Sequence, residues 1–321
     1  MSKLVELSQR LKHFILKGIW QLEVKKLSYA KARAVRYTRI ALLTGRNYSD
    51  HKTGMQSLAL SYYSAMSLVP LLAIILSITS HMGLDEYMQN LIYENFQGKI
   101  NQDNLDSIMT AAHNIVSTAK SGLMGVISAL SFIWIIVKLM GGVEESFNDI
   151  WNVNSSRSLI RRILYYVLIL ILSPLVIMIL FSGTVIYMNL LQKVEIDVAA
   201  FTFAMKLVSW SLFFAVTVLV FSAMYALIPN QKVQYGMALR AAFFSGFIFT
   251  LMQFIYLETQ LFVTGISKVY GALAAIPLFM IWLKKSWNVI LLGAQLSYAF
   301  QNIETYNIED ENGKDFSVQS E

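Results

Sequence analysis

Lys284 and Lys285 are the residues of this chain whose position makes the strongest chemical demand. They interrupt an apolar stretch, Val269 to Gln301, that carries no other charge. At bilayer depth each ammonium costs about 2.5–3.5 kcal/mol on insertion scales, roughly 5–7 for the pair unless something relieves it. Relief can come from an anionic substrate, a water-filled cavity, a carboxylate such as Glu144, Glu145 or Glu258, or snorkelling to the inner surface. The functional reading is an anion-attracting cavity open to the cytoplasm; snorkelling is its rival. Tyr62 and Tyr63 are expected to line such a cavity as amphipathic rings, and Pro70 and Pro277 to shape the path by kinking their helices. A second polar cluster, Lys138, Glu144, Glu145, Asn148 and Trp151, is expected as an interfacial network at the inner mouth. Glu145 falls two helical turns after Lys138 on the same face, although Lys138 also suits simple snorkelling.

Catalytic constellations are sparse. The four histidines, His13, His51, His81 and His113, lie far apart, and there is no cysteine. No HExxH, GxSxG, Walker loop or strand-borne GxGxxG is present. The expectation is a protein that is not an enzyme, with no catalytic residues, no metal and no cofactor.

The elements that must hold these lysines are plain. Five stretches run 17 residues or more without a charge: Met55 to Met82, Ser121 to Val137, Ile163 to Gln192, Leu207 to Gln231 and Ala241 to Leu257. The lysine-bearing stretch is the sixth. About 20 helical residues cross a hydrocarbon core of roughly 30 Å. The fold expected is therefore all-α, a multi-pass membrane protein with six transmembrane helices spanning residues 51–303. Composition agrees, with 56% hydrophobic and only 14% charged residues among 321, where soluble domains carry about 25% charged. No cleavable signal peptide is visible, since the first 50 residues lack a compact apolar core.

Charge sets the orientation. Twelve Lys and Arg residues precede the first run against Glu6, Glu23 and Asp50, and basic flanks stay cytoplasmic. Both termini are then inside. The loop after run one is acidic and outer, and the loop with Arg157, Arg161 and Arg162 is inner. Residues 1–50 interleave these charges with Phe14, Ile15, Ile19, Trp20, Leu22, Val24 and Leu27. That pattern fits an arm lying on an anionic inner leaflet better than nucleic-acid binding. Residues 83–120 carry apolar positions near helical spacing and are expected as two amphipathic helices capping the outer mouth. Residues 304–321 are an acidic tail, expected to be unstructured. Ser57, Ser61 and Ala65, and Gly125 with Ala129, are small-residue stripes for close helix packing. Near the outer end of run five, Gln253, Glu258 and Gln260 are expected as a matching polar patch outside.

Several motifs in order resemble one family. Leu58 to Leu72, LALSYYSAMSLVPLL, resembles the first-helix signature of the YihY/virulence factor BrkB family of bacterial inner-membrane proteins, with Tyr62, Tyr63, Ser67 and Pro70 on its characteristic positions. Phe147 to Arg162, FNDIWNVNSSRSLIRR, is similar to its tryptophan followed by basic residues. Tyr225 with Pro229 and Asn230 resembles its Y-x-x-x-P-N turn, and YGALA (Tyr270 to Ala274) and GAQ (Gly293 to Gln295) its last helix. The resemblance covers residues 50 to 303. It implies six helices with both ends cytoplasmic, and a link to envelope integrity or to transport of lipids or anionic solutes. A legacy ribonuclease BN label travels with the family, but this chain has no histidine–aspartate metal cluster to support it. The family usually carries a glutamate where Gln295 stands and uncharged residues at Lys284 and Lys285. Losing an acid and gaining two bases favours an anionic ligand and places Gln295 on the same path. Two function classes follow: a transporter or lipid-handling protein, and a scaffold for envelope assembly. The sequence does not fix the substrate, the coupling ion or the oligomeric state.

Overall fold

Seven helices make up the regular structure of the described residues, which in this computed structural model are 18–22, 26–81, 110, 114, 122–153, 198–266 and 268–304. In chain order they are α1 (Ile19–Gln21), α2 (Tyr29–Asp50), α3 (Thr53–His81), α4 (Gly122–Ile150), α5 (Val198–Leu227), α6 (Tyr235–Ile266) and α7 (Lys268–Asn302). Three windows are long and apolar enough to cross a membrane: Leu207–Leu227, Tyr235–Thr259 and Ile276–Asn302. They coincide with the last three apolar runs of the sequence. The first two runs fall in α3 and α4, each 29 residues long. The third run, most of the outer segment and all of the acidic tail beyond Glu304 lie outside the described residues.

The burial pattern of these helices is inverted relative to a water-soluble bundle. Along α6, Phe243, Phe247, Leu251 and Ile255 are exposed while Ala238, Ala241, Ala242 and Ser245 are buried. Hydrocarbon solvates the large apolar side chains, so small residues are free to face neighbouring helices, where they permit close approach. Ser57 and Ser61 of the α3 stripe are likewise buried.

The chain forms two compact units. The first comprises Met1–Met55, Glu144–Met252 and Asn288–Glu321; the second comprises Gln56–Val143 and Gln253–Trp287. In the first, Tyr225, Phe147 and Leu291 are fully buried, and the Phe147 and Tyr225 ring centroids stand 6.2 Å apart. The end of α4 closes there in a Schellman motif: Val153 N–H donates to Asn148 O at 2.8 Å, Asn152 N–H to Asp149 O at 3.0 Å. Asn152 takes the left-handed conformation this needs, with φ 52°. At the corner between α2 and α3, Lys52 is also left-handed, with φ 48°.

Within the amino-terminal arm, one side chain of α2 holds the α1 segment by several hydrogen bonds. Arg39 of α2 donates to Ile19 O at 3.0 and 2.7 Å, Trp20 O at 3.1 Å and Leu22 O at 2.7 Å, so its guanidinium caps the carboxyl end of α1. Its Cζ also lies 5.7 Å from the Trp20 ring centroid. Partial burial lowers the pKa of this guanidinium, which stays charged at any physiological pH. Ile19 is buried beneath the clasp.

In the second unit a β-carbon added at Gly142 of α4 would stand 3.2 Å from Leu60 Cδ2 of α3, so the two helices pack closely. Two half-buried indoles of α7 find polar partners on other helices, as Trp N–H groups withdrawn from water usually do. Trp287 Nε1 donates to Ser64 Oγ at 3.0 Å and Trp282 Nε1 to Gln253 Oε1 at 2.9 Å. Tyr256 and Phe279 stack on Trp282 at 5.2 and 5.6 Å.

Candidate functional site

Lys284 and Lys285 sit at the midpoint of the 35-residue α7, inside its membrane-length window. Lys284 is half-buried and Lys285 exposed. Along the helix they stand between Trp282 and Trp287, the two indoles committed to Gln253 and Ser64. The same unit holds Tyr62, exposed, with its ring edge-on to Tyr63 at 5.9 Å. Pro277 lies inside α7 with its ring exposed. Pro70 lies in α3, its side chain outside the described residues. Lys138 is exposed on α4, its ammonium 6.0 Å from the Trp134 ring centroid.

The remaining residues of interest gather in the first unit. Glu144, Asn148 and Trp151 are buried, and Glu145 is exposed. Asn148 Oδ1 accepts the backbone N–H of Asn230 at 2.8 Å, which joins the end of α4 to the Pro229–Asn230 turn after α5. Trp151 packs edge-on against Tyr298 of α7 at 5.4 Å. Gln295 is fully buried and donates through Nε2 to Thr53 Oγ1 at 2.5 Å. His51 Nδ1 lies 3.3 Å from Asp149 Oδ2. Three sequence motifs that are far apart in the chain, around residues 148, 230 and 295, thus share one unit.

Among the described residues this belt holds buried polar atoms without a hydrogen-bond partner: Gln295 Oε1, Ser297 Oγ and Trp151 Nε1. Buried polar groups are normally satisfied, because each unmade bond costs about 1–3 kcal/mol. The groups are an amide, a hydroxyl and an indole, all neutral, and they suit hydrogen bonding rather than nucleophilic chemistry.

One arrangement is absent from the sequence reading. Tyr225 Oη and Ser245 Oγ are hydrogen-bonded at 2.8 Å, and both press on Gly293. A methyl at 293 would collide with the Tyr225 hydroxyl and stand 2.6 Å from Ser245 Oγ. The signal that could have found it is the stripe Ala238, Ala242, Gly246 and the parallel pair Ala241, Ser245, small residues at four-residue spacing on α6. Such a stripe announces a close neighbour without naming it.

Residues 44–316 match the family described as Virulence factor BrkB. A UPF0761 membrane protein of Acinetobacter baylyi (strain ATCC 33305 / BD413 / ADP1) is 34% identical over 257 residues, 78% of this chain and 59% of that protein. A UPF0761 membrane protein of Haemophilus influenzae (strain 86-028NP) is 27% identical over 267 residues, 82% of this chain and 95% of its own length. Another, of Vibrio atlanticus (strain LGP32), is 27% identical over 304 residues, 92% and 91% of the two chains. The chain therefore spans a little over half of the Acinetobacter relative and nearly all of the other two. No solved structure matches it.

Proposed function

This chain belongs to the virulence factor BrkB family of membrane proteins, and from that premise we propose that it handles an anionic solute or lipid across the bacterial inner membrane. In this reading six helices cross the bilayer with both ends cytoplasmic, and the path is reached from the cytoplasm. The basic arm meets the anionic inner leaflet, and no chemical step is catalysed. The observation that carries the reading is the placement of Lys284 and Lys285 midway along a membrane-length helix, with Lys284 half-buried. An isolated ammonium at that depth is costly, and a passing anion relieves the cost while gaining affinity from it.

The test is flux of labelled anionic solutes and anionic lipids in proteoliposomes, comparing the native chain with Lys284→Ala/Lys285→Ala. The double variant should lose flux on the order of tenfold, the equivalent of about 1.4 kcal/mol of lost anion attraction. Unchanged flux in the double variant would remove the lysines from the path. Absence of flux for every substrate class would leave the scaffold reading in its place.

A further inference from the structure

A second basic site lies in the first unit, and it is a built cavity. It is a half-open pocket of about 500 Å³ among α2, the start of α6 and the end of α7. Small-molecule pockets fall in the range of about 300–1,000 Å³, so the space suits a headgroup-sized ligand. Three guanidiniums line it: Arg33 and Arg36 from α2 and Arg240 from α6. Arg33 and Arg36 stand one helical turn apart on α2, whereas Arg240 comes from a helix far along the chain, so nothing in the linear charge pattern announces the convergence. The floor is apolar, with Ile40 and Phe300 both buried, and Tyr37 stands beside it.

The walls are held in place by contacts independent of any ligand. Tyr37 meets Phe300 edge-on at 6.5 Å, and Phe244 of α6 stacks on Phe300 at 6.3 Å. Gln301 ties the turn before α6 to α7, accepting from Gln234 N–H at 2.8 Å and donating to Lys232 O at 3.3 Å. The charges, by contrast, are poorly neutralised. Arg36 pairs with Glu304 at 3.0 Å, a bridge whose partners are both largely open to solvent. Arg33 leans on the Tyr37 ring at 5.9 Å, and Arg240 reaches only Met237 Sδ at 3.6 Å. Neither has a carboxylate among the described residues. Arg39, the fourth arginine nearby, is spent on the carbonyls of α1.

We propose that this cavity binds phosphate, taken either from an anionic lipid headgroup or from a soluble phosphate ester. Guanidinium forks match phosphate oxygens in geometry and charge, and the apolar floor accommodates the uncharged stem of the ligand. Glu304 occupies Arg36 in the empty site and yields when phosphate arrives. The site lies outside the unit that holds Lys284 and Lys285, so it stands or falls independently of the flux experiment. Only its lipid source rests on the reading that the amino-terminal arm meets an anionic leaflet.

The test uses the full chain in a zwitterionic detergent, titrated with dihexanoyl phosphatidylglycerol, glycerol 1-phosphate, inorganic phosphate and, as control, dihexanoyl phosphatidylcholine. Saturable binding of at least one of the first three is expected, with phosphatidylcholine at least about tenfold weaker. Arg33→Gln/Arg36→Gln/Arg240→Gln should weaken binding at least about tenfold, while Lys31→Gln, an exposed charge on the same helix outside the cavity, changes it less than about twofold. Glu304→Gln, which removes the internal competitor without disturbing any wall, should tighten binding about two- to fivefold. Binding by the glycerolipid alone identifies a headgroup site, and equal binding of glycerol 1-phosphate or inorganic phosphate identifies a soluble-ester site; both support the proposal. No saturable binding, equal binding of phosphatidylcholine, or equal losses in the arginine and Lys31 variants would overturn it.

Discussion

Where Gly293 meets Tyr225 and Ser245, the missing β-carbon lets α7 approach the tyrosine hydroxyl of α5 and the serine of α6 within one unit. Overpacking a tight core costs about 1–3 kcal/mol. Gly293→Ala should therefore destabilise the detergent-solubilised protein by that amount, read out as a lower thermal midpoint. Tyr225→Phe alone leaves the Ser245 hydroxyl with its backbone acceptors, Ala241 O and Ala242 O, and should cost no more than about 1 kcal/mol. Combined, the two changes should be less damaging than their sum, because the atom the new methyl strikes first has gone. Strict additivity in thermal melts would mean the contact is not the cause. Neither partner of this contact was legible as a pair. A lone tyrosine or glycine in an apolar run carries no record of what lies opposite, and these three positions are separated by 20 to 68 residues. The same holds for Asn148 with Asn230 and Gln295 with Thr53. Lys284 and Lys285, by contrast, were legible at once, because a charge inside an apolar run is visible without knowing any partner.

Among the elements, the corner between α2 and α3 shows how a short connection is made under strain. Lys52 adopts φ 48°, a conformation that costs a side-chain-bearing residue roughly 1–2 kcal/mol, whereas Asn152 at the end of α4 belongs to a type that tolerates it. Lys52 N–H donates to Ser49 O at 3.2 Å and Met55 N–H to Lys52 O at 2.8 Å, so the turn is held by backbone bonds that a glycine would keep. Lys52→Gly should raise stability by up to about 1 kcal/mol, the relief of strain being partly offset by the greater freedom of the unfolded glycine chain. Lys52→Val should lower it. Thermal melts of the two variants moving in the same direction would contradict this account. Helix existence was legible from uninterrupted apolar runs, which fall inside α3 to α7 wherever the structure describes them, except that the fourth run outlasts α5 by the turn at residues 228–231. Helix ends were not. The helix α5 begins at Val198, before the charge at Lys206, and α6 begins at Tyr235, before Arg240, because backbone hydrogen bonding continues past the edge of an apolar run.

For the whole molecule, the proposed arrangement of six crossings with both ends inside makes a prediction that the sequence is well suited to test, since it contains no cysteine. Single replacements Lys3→Cys and Glu311→Cys should resist a membrane-impermeant maleimide in intact spheroplasts and react after lysis. Lys99→Cys, in the segment expected outside, should react in both. Labelling of Glu311→Cys before lysis while Lys3→Cys stays protected would require an odd number of crossings.

The clasp made by Arg39 has a different consequence at this scale. Its four contacts end on peptide carbonyls, which hold no ionic countercharge for dissolved salt to compete with and no proton to gain on acidification. The Arg36–Glu304 bridge nearby, open to solvent, is subject to both. The α1 segment is therefore moored to α2 in brine and in acid alike, while the rim above the arginines loosens first.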